Sequence, residues 1–300
     1  MEKHFSYSRL VWNVFRKNKL AYSGIFVILF LFFVALFAPF LANNKPLIMR
    51  YNDRFYFPVL KEYRTFYGID LKEFCSRNSL WALFPLIRYS PTEYDLTATL
   101  SPPDQKHWLG TDDRGRDVLT RIIYGTRISL SVGFVAVTIF LVIGIFIGSQ
   151  AGYFGGKIDL IMSRFIELIE CFPTFILILT ILAFLNPSIY NIMAVIGLFG
   201  WPDVARLIRG EYLKLKKQDF VTAVRAFGFS HYRIMYNHIL PNALAPILVS
   251  ATFGIAGAIL LESSLSFLGF GVPPPAPSWG EILSEAMNYV DFAWWLVIFP

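Results

Sequence analysis

The amino-acid sequence predicts an all-α protein: a polytopic transmembrane helical bundle with five complete spans, the start of a sixth, and a long loop inserted outside the membrane. Three observations predict it. Of the 300 residues, 55% are hydrophobic and 16% are charged, and the mean hydropathy is +0.52. These values are typical of membrane proteins. Long apolar runs also alternate with polar segments, and Lys and Arg fall mainly in those segments.

The same distribution of charge argues against nucleic acid as a partner. The formal net charge is +6, but a membrane protein becomes basic through the segments between its spans. The two cysteines, Cys75 and Cys171, lie in a polar segment and in an apolar run. We therefore expect neither a disulfide nor a metal site from them.

The chain begins with a basic segment, residues 1–19, which predicts a cytoplasmic tail. Apolar sequence follows over residues 20–42. A cleaved signal peptide has a shorter apolar centre, so we predict an uncleaved first span with its amino end in the cytoplasm.

Residues 43–127 form a polar interval that this orientation places outside, as a periplasmic loop. Two extended pieces punctuated by Pro, 45–51 and 55–63, could form a cap against a soluble partner or an ordinary surface loop. From Val118 we predict an interfacial helix whose apolar residues face lipid: Val118, Leu119, Ile122 and Ile123.

A calcium loop is a weak alternative at the end of this interval. Asp112, Asp113 and Asp117 surround Gly115, but the spacing is wrong for an EF-hand and no closing Glu follows. Gly152–Asp159 looks like a phosphate-binding loop and also fails, because Ile158 follows Lys157 where a hydroxyl residue is needed. We therefore expect no metal, nucleotide or other cofactor to be bound by this chain.

The region 128–300 holds the remaining spans. The second, residues 128–150, contains Gly133, Gly144 and Gly148, where a neighbouring helix can approach closely. The third, about 160–185, contains charges and a proline, which predicts a kink at Pro173. Glu167 and Glu170 share a helical face, so they could form a proton relay or substrate site; the simpler interpretation, which we favour, is that Arg164 neutralises Glu167.

The fourth span, residues 189–208, is interrupted at 200–203, and the fifth covers 243–265. An aromatic-rich entry into a sixth span begins near Trp294, and the sequence stops before this span could cross a bilayer of about 30 Å. Five residues are candidates for an intramembrane gate: Glu167, Glu170, Pro173, Asp203 and Glu262.

A polar, basic segment at 209–241 lies between the fourth and fifth spans. We predict two short helices folded back at Gly228, which would end the first helix in a left-handed conformation, while Ser230 caps the second. Val221, Val224 and Phe227 recur at helical spacing, so this face could enter an apolar groove of another protein. A positively charged loop without a docking role is the alternative.

The run from Asp219 to Gly228, with Ile239-Leu-Pro241 after it, resembles the EAA loop of ABC importer permeases. Thr222, Ala223 and Val224 stand where Glu-Ala-Ala is usual, so the acidic residue is absent. Two further runs, HWLGTD…GRDVL…YGTRISL and SLSFLGFG…PSWGEIL, resemble the dipeptide and oligopeptide class. The sequence that begins at Asn43 and the sequence around Tyr56 resemble those of the branch with a long periplasmic loop, which is associated with import of oligopeptides and microcin C.

The resemblance implies the fold of a type I ABC importer permease in the bacterial inner membrane, which forms half of a translocation path and is itself not an enzyme. It implies a second homologous permease, two ATPase subunits that bind ATP and Mg, and a periplasmic peptide-binding protein as partners. The residues implied to contact an ATPase subunit are Asp219, Phe220, Val221, Thr222, Ala223, Val224, Arg225, Ala226, Phe227 and Gly228; Leu240 and Pro241 would shape the loop.

The competing hypothesis is an ion-coupled secondary transporter or channel for a small solute. It would use Glu167, Glu170, Asp203 or Glu262 and would not need the spacing of Gly228 to Leu240-Pro241. A membrane-embedded enzyme is a third class, for which the sequence offers no nucleophile, paired base or metal cluster.

Overall fold

A computed structural model describes residues 15–300 of the chain. Most of the predicted cytoplasmic tail, residues 1–19, therefore lies outside the described residues. The chain divides into two compact units, residues 1–127 and 128–300, and each is treated by itself below.

The first unit contains helix α1 (Lys19–Leu41) and a small mixed insert. Strands β1 (Ile48–Tyr51) and β2 (Arg54–Tyr56) pair antiparallel, helix α2 (Leu71–Arg77) follows, and strand β3 (Ala82–Leu83) pairs with the other edge of β1. Met49 of β1 is completely buried against the other members of a small apolar cluster, Phe66, Leu71 and Cys75. The two extended pieces predicted from the sequence thus contribute paired strands, and this sheet departs from the all-α prediction.

A buried ionic network closes the insert. The carboxylate of Asp112 accepts a hydrogen bond of 2.6 Å from Nε of Arg116 and also pairs with Arg121, while Oδ2 of Asp117 lies 2.9 Å from Nδ1 of His107. All five side chains are buried. Because buried charges need partners, the protein's own Arg and His residues stabilise these two carboxylates.

Helix α3 (Val118–Phe154) starts at this network and continues for 37 residues. The prediction of a separate interfacial helix before the second span is therefore wrong, since the two are one helix. Val118 and Ile123 are buried rather than turned to lipid. The reason is that Ile123 packs against Ala38 and Ala42 at the end of α1, where the hydroxyl of Tyr124 donates a 3.0 Å hydrogen bond to the carbonyl of Ala42.

The second unit is helical. It continues with α4 (Gly156–Glu170), α5 (Thr174–Phe184), α6 (Ile189–Phe199), α7 (Trp201–Leu215), α8 (Asp219–Ala226), α9 (His231–Phe267), α10 (Trp279–Ala286) and α11 (Trp295–Ile298). Among residues 15–300, four helical stretches are long and apolar enough to cross a membrane: α1, α3, α6 with α7, and α9. The bent pair of α4 and α5 makes five if it is one span. A sixth span stays a prediction.

The bend between α4 and α5 is 74°. Pro173 stands immediately before α5, where its ring fixes the backbone and it has no N–H to donate to the preceding turn. The kink predicted at Pro173 is therefore confirmed.

Helices α3 and α7 touch along a stripe of glycines one turn apart, Gly144, Gly148 and Gly152. A Cβ atom at Gly144 would lie 2.7 Å from Cγ1 of Val204, and one at Gly148 would lie 2.9 Å from Cβ of Ile208. Real side chains do not approach so closely, so only glycine allows this contact. The close approach predicted at Gly144 and Gly148 is confirmed.

We expect Gly148→Val to lower stability by about 1–3 kcal/mol, because the added methyl groups must push α7 away from α3. Gly257→Val is the matched control: it makes the same change on a helix at a position with open space around it. Thermal unfolding of the detergent-purified chain, followed by size-exclusion chromatography, measures both. Equal midpoints for the two variants would contradict the close contact.

Candidate coupling loop and intramembrane charges

Helix α8 lies in the middle of the loop predicted to couple to a partner. Asp219 occupies its first turn, where a carboxylate is favourable beside the partial positive charge of the helix amino end. Gly228 has φ of 77°, and its N–H donates to the carbonyl of Arg225 over 3.0 Å. Gly228 thus ends the helix in the left-handed conformation that the sequence predicts.

The apolar face of α8 is turned toward its own chain. Val221 is only 1% exposed and belongs to a core cluster that includes Ile208 of α7, and Val224 packs against the same cluster. The prediction that Val221, Val224 and Phe227 form one docking face is therefore wrong, because the core takes the two valines. The aromatic side chains left on the surface are those of Phe220, 37% exposed, and Phe227, 81% exposed. The other exposed residues of this helix are Asp219, Thr222, Ala223, Arg225 and Ala226.

The second half of the loop is not a separate short helix. Helix α9 runs from His231 directly into the fifth span, through a π-helical turn at Ile234–Ile239. The N–H of Leu240 donates to the carbonyl of Met235, five residues back. Pro241 has no N–H for the usual bond four residues back, and a π turn is one way in which a helix accommodates this loss.

The residue predicted to cap that second helix does not do so through its side chain. Ser230 precedes His231 in an extended conformation, and within the described part of the chain its hydroxyl makes no capping hydrogen bond. The start of the segment also differs from the prediction of 209–241, because α7 remains helical to Leu215.

Tyr212 attaches the loop to the helix before it. Its hydroxyl donates a 3.0 Å hydrogen bond to the carbonyl of Met235, and both side chains are fully buried. Ile234 and Ile239 are also fully buried, in the same core cluster as Val221. Both halves of the loop are therefore packed into the core of the second unit, which makes α8 a rigid extension of that core. The structural role of Tyr212 was not predicted. The available signal was its hydroxyl, since a tyrosine within an apolar helix needs a hydrogen-bond partner.

The glutamates of α4 are paired with arginines. Arg164 approaches Glu167 to 2.5 Å on the same helix, and Glu170 forms an ion pair with Arg206 of α7. The favoured interpretation, in which Arg164 neutralises Glu167, agrees with this geometry. Asp203 is exposed in the first turn of α7, a position that favours a negative charge.

A second ion pair joins α4 and α7, and its residues were not among those predicted as site residues from the sequence. The guanidinium of Arg209 reaches both carboxylate oxygens of Asp159, at 2.5 and 2.9 Å. The two-point geometry makes this one of the stronger kinds of ion pair. Together with Glu170 and Arg206, it holds α4 against α7.

Glu262 is completely buried in α9. One carboxylate oxygen, Oε1, accepts hydrogen bonds of 2.8 Å from Ser266 and Ser278, and the other has no hydrogen-bond partner among residues 15–300. The hydroxyl of Ser278 in turn accepts the N–H of Glu281 at the start of α10. Glu262 thus fixes the end of α9 to the beginning of α10.

We expect Tyr212→Phe to destabilise the protein by about 1 kcal/mol, the usual contribution of one buried hydrogen bond. The phenyl ring of the variant still fills the site of the Tyr212 ring, and the carbonyl of Met235 still accepts the hydrogen bond from the N–H of Leu240. Tyr190→Phe, on an exposed ring, is the control. A melting midpoint for Tyr212→Phe equal to that of the control would show that the hydroxyl does not hold the loop.

Comparison with known proteins agrees with this architecture. Residues 140–300 match the family model "Binding-protein-dependent transport system inner membrane component", and residues 6–58 match "N-terminal TM domain of oligopeptide transport permease C".

The chain is 36% identical to an inner membrane ABC transporter permease protein of Escherichia coli, over 94% of this chain and 87% of that one. It is also 36% identical to a dipeptide transport system permease of Alkalihalophilus pseudofirmus, over 97% and 81%. An oligopeptide transport system permease of Bacillus subtilis is 32% identical, over 95% and 79%. The chain belongs to the family of inner membrane components of binding-protein-dependent transport systems.

Proposed function

We propose that the chain is a permease subunit of an ATP-driven importer of peptides and that it receives the energy for transport through α8. The observation that carries the proposal is that Phe220 of α8 and Phe227 directly after it are exposed, while Val221 and Val224 of the same helix are packed against the core. Exposed aromatic side chains on a rigid support are well suited to anchor a partner protein. The dipeptide and oligopeptide permeases among its relatives support peptides as the substrate.

In the proposed mechanism, each of two ATPase subunits holds a permease loop helix in a surface cleft. Closure of the ATPases on ATP moves α8, and the packing of Val221 and the Tyr212 hydrogen bond pass this movement to α7 and α9. The permease and a second, homologous permease then exchange inward for outward access at their interface. ATP and Mg are bound by the ATPase subunits, and this chain supplies docking energy rather than catalysis.

The proposed topology places the amino terminus and the coupling loop (residues 209–241) in the cytoplasm, and the insert (residues 43–127) in the periplasm facing a peptide-binding protein. The basic residues of the loop support this orientation, because short cytoplasmic loops carry an excess of Lys and Arg. They are Arg209, Lys214, Lys216, Lys217, Arg225 and Arg233.

Ion-coupled transport through Glu170 is disfavoured by its ion pair with Arg206. A carboxylate that carries a coupling ion must be able to release its partner, whereas Glu170 and Asp159 hold α4 to α7 through Arg206 and Arg209. Uptake of a labelled peptide into proteoliposomes separates the two classes. We expect uptake to require ATP and the ATPase subunits; uptake driven by a proton gradient without them would refute the proposal.

We expect Phe227→Ala to reduce both co-purification of the ATPase subunits and ATP-driven uptake by about tenfold or more, which is the effect of losing a central aromatic anchor. Tyr67→Ala removes a comparably exposed ring from the insert and is the control for ATPase binding. Tight ATPase association and normal uptake in the Phe227 variant would show that α8 is not the docking element.

A further inference from the structure

A basic pocket lies beside α8, at the ends of α3 and α7. It has a volume of about 460 Å³, and the described residues that line it are Tyr153, Phe154, Lys216, Lys217, Arg225 and His231. Three of these side chains are cationic, a fourth is an imidazole, and none is a carboxylate.

The pocket is built so that its positive charge is not neutralised by the chain itself. Nζ of Lys216 donates to the carbonyl oxygens of Gly152 and Tyr153, at 2.8 and 3.4 Å. These two hydrogen bonds hold the ammonium in place, and neither partner is a carboxylate. Lys217 and Arg225 have no carboxylate partner among residues 15–300. Burial lowers the pKa of the Lys216 ammonium, and the charges of Lys217 and Arg225 lower it further. A bound anion would relieve this repulsion.

One carboxylate acts electrostatically on Lys216, that of Asp159. Its two oxygens are occupied by Arg209, at 2.5 and 2.9 Å. Asp159 acts on Lys216 more strongly than Arg209 opposes it, so this ion pair offsets part of the repulsion at Lys216, but Asp159 forms no ion pair with Lys217 or Arg225.

The position of the pocket indicates the source of the anion. Helix α3 ends at Phe154 and helix α7 ends at Leu215, a few residues beyond the predicted spans 128–150 and 189–208, so by these bounds the pocket lies on the headgroup side of both spans. Tyr153 is buried, and its hydroxyl lies 2.9 Å from Nδ1 of His231, while the ring of Phe154 beside it is exposed. Basic pockets between transmembrane helices on the cytoplasmic side bind the phosphates of anionic lipids.

We propose that this pocket binds the phosphate headgroup of an anionic phospholipid of the cytoplasmic leaflet. The proposal rests on the function proposed above only for the side of the membrane on which the pocket lies. Lys217 and Arg225 contact the phosphate, and Lys216 lines the pocket while it is hydrogen-bonded to the end of α3. Since Arg225 belongs to α8, a bound headgroup joins the coupling helix to the membrane surface and to the end of α7.

The test uses the full chain, purified in a neutral detergent and titrated by calorimetry with dihexanoyl phosphatidylglycerol, dihexanoyl phosphatidylcholine and inorganic phosphate. We expect one phosphatidylglycerol site, with weaker binding of the other two probes. The double variant Lys217→Gln with Arg225→Gln should lower its affinity about tenfold or more, since each basic residue near an anionic surface contributes substantially. Lys214→Gln with Arg233→Gln removes the same charge outside the pocket lining and should change the affinity less than about twofold.

Three results would overturn the inference. Equal losses in the two double variants would indicate diffuse attraction rather than a site. Inorganic phosphate binding as tightly as phosphatidylglycerol would assign the pocket to a free anion. Loss of the site when the ATPase subunits are added to the wild-type chain would assign it to an acidic group of that partner.

Failure here and failure of the proposed function are distinguishable. If phosphatidylglycerol does not bind while peptide uptake is ATP-driven, the headgroup site is wrong and the transport function stands. If phosphatidylglycerol binds as expected while uptake needs no ATPase, the transport function is wrong and the headgroup site remains.

Discussion

The contact between α3 and α7 is the constraint on which the second unit depends. Gly144, Gly148 and Gly152 remove every side-chain atom from one stripe of α3, so that α7 lies directly on its backbone. In a membrane, where lipid is as apolar as the helices, such close packing is a main source of helix association. The ion pairs of α7 with α4, through Arg206 and Arg209, add charge-assisted bonds on another side of α7.

This contact also determines what the loop after α7 can do. Because α7 is fixed, Tyr212 near its end is fixed, and its hydroxyl holds the carbonyl of Met235 in the π turn. Val221 of α8 is buried in the same cluster as Ile208. A force applied to α8 therefore reaches the spans through packed atoms instead of being lost in a flexible connection. Rigid attachment through Val221 and Val224, with exposed aromatic rings beside them, is what a coupling element requires.

Much of this architecture follows from the sequence. The first five apolar runs correspond to helices or helix pairs long and apolar enough to cross a membrane, Pro173 marks the bend, and Gly228 ends α8, because each depends on the local chemistry of the residues themselves. Other features depend on packing between distant parts of the chain. Val221 and Val224 have the spacing of a docking face, yet which surface covers that face was decided by α7 and α9. Likewise, the segment after Gly228 was predicted as a separate short helix, but a π turn at Ile234–Ile239 lets that helix continue into the fifth span.

The polar residues show the same division. The pairing of Arg164 with Glu167 was accessible from their spacing along one helix. The pairs of Glu170 with Arg206 and of Asp159 with Arg209 join different helices, and no local pattern specifies which arginine meets which carboxylate. The strands of the insert were foreseen only as extended pieces, since short aromatic segments do not reveal their partners before the fold is known.

The central claim is that a partner ATPase grips α8. The most direct measurement is site-specific photo-crosslinking from position 227 in the assembled transporter, with position 67 of the insert as the comparison. The account predicts a crosslink from position 227 to an ATPase subunit, and none to that subunit from position 67. A functional transporter in which position 227 crosslinks only to the extracytoplasmic binding protein, or to no ATPase subunit, would contradict it.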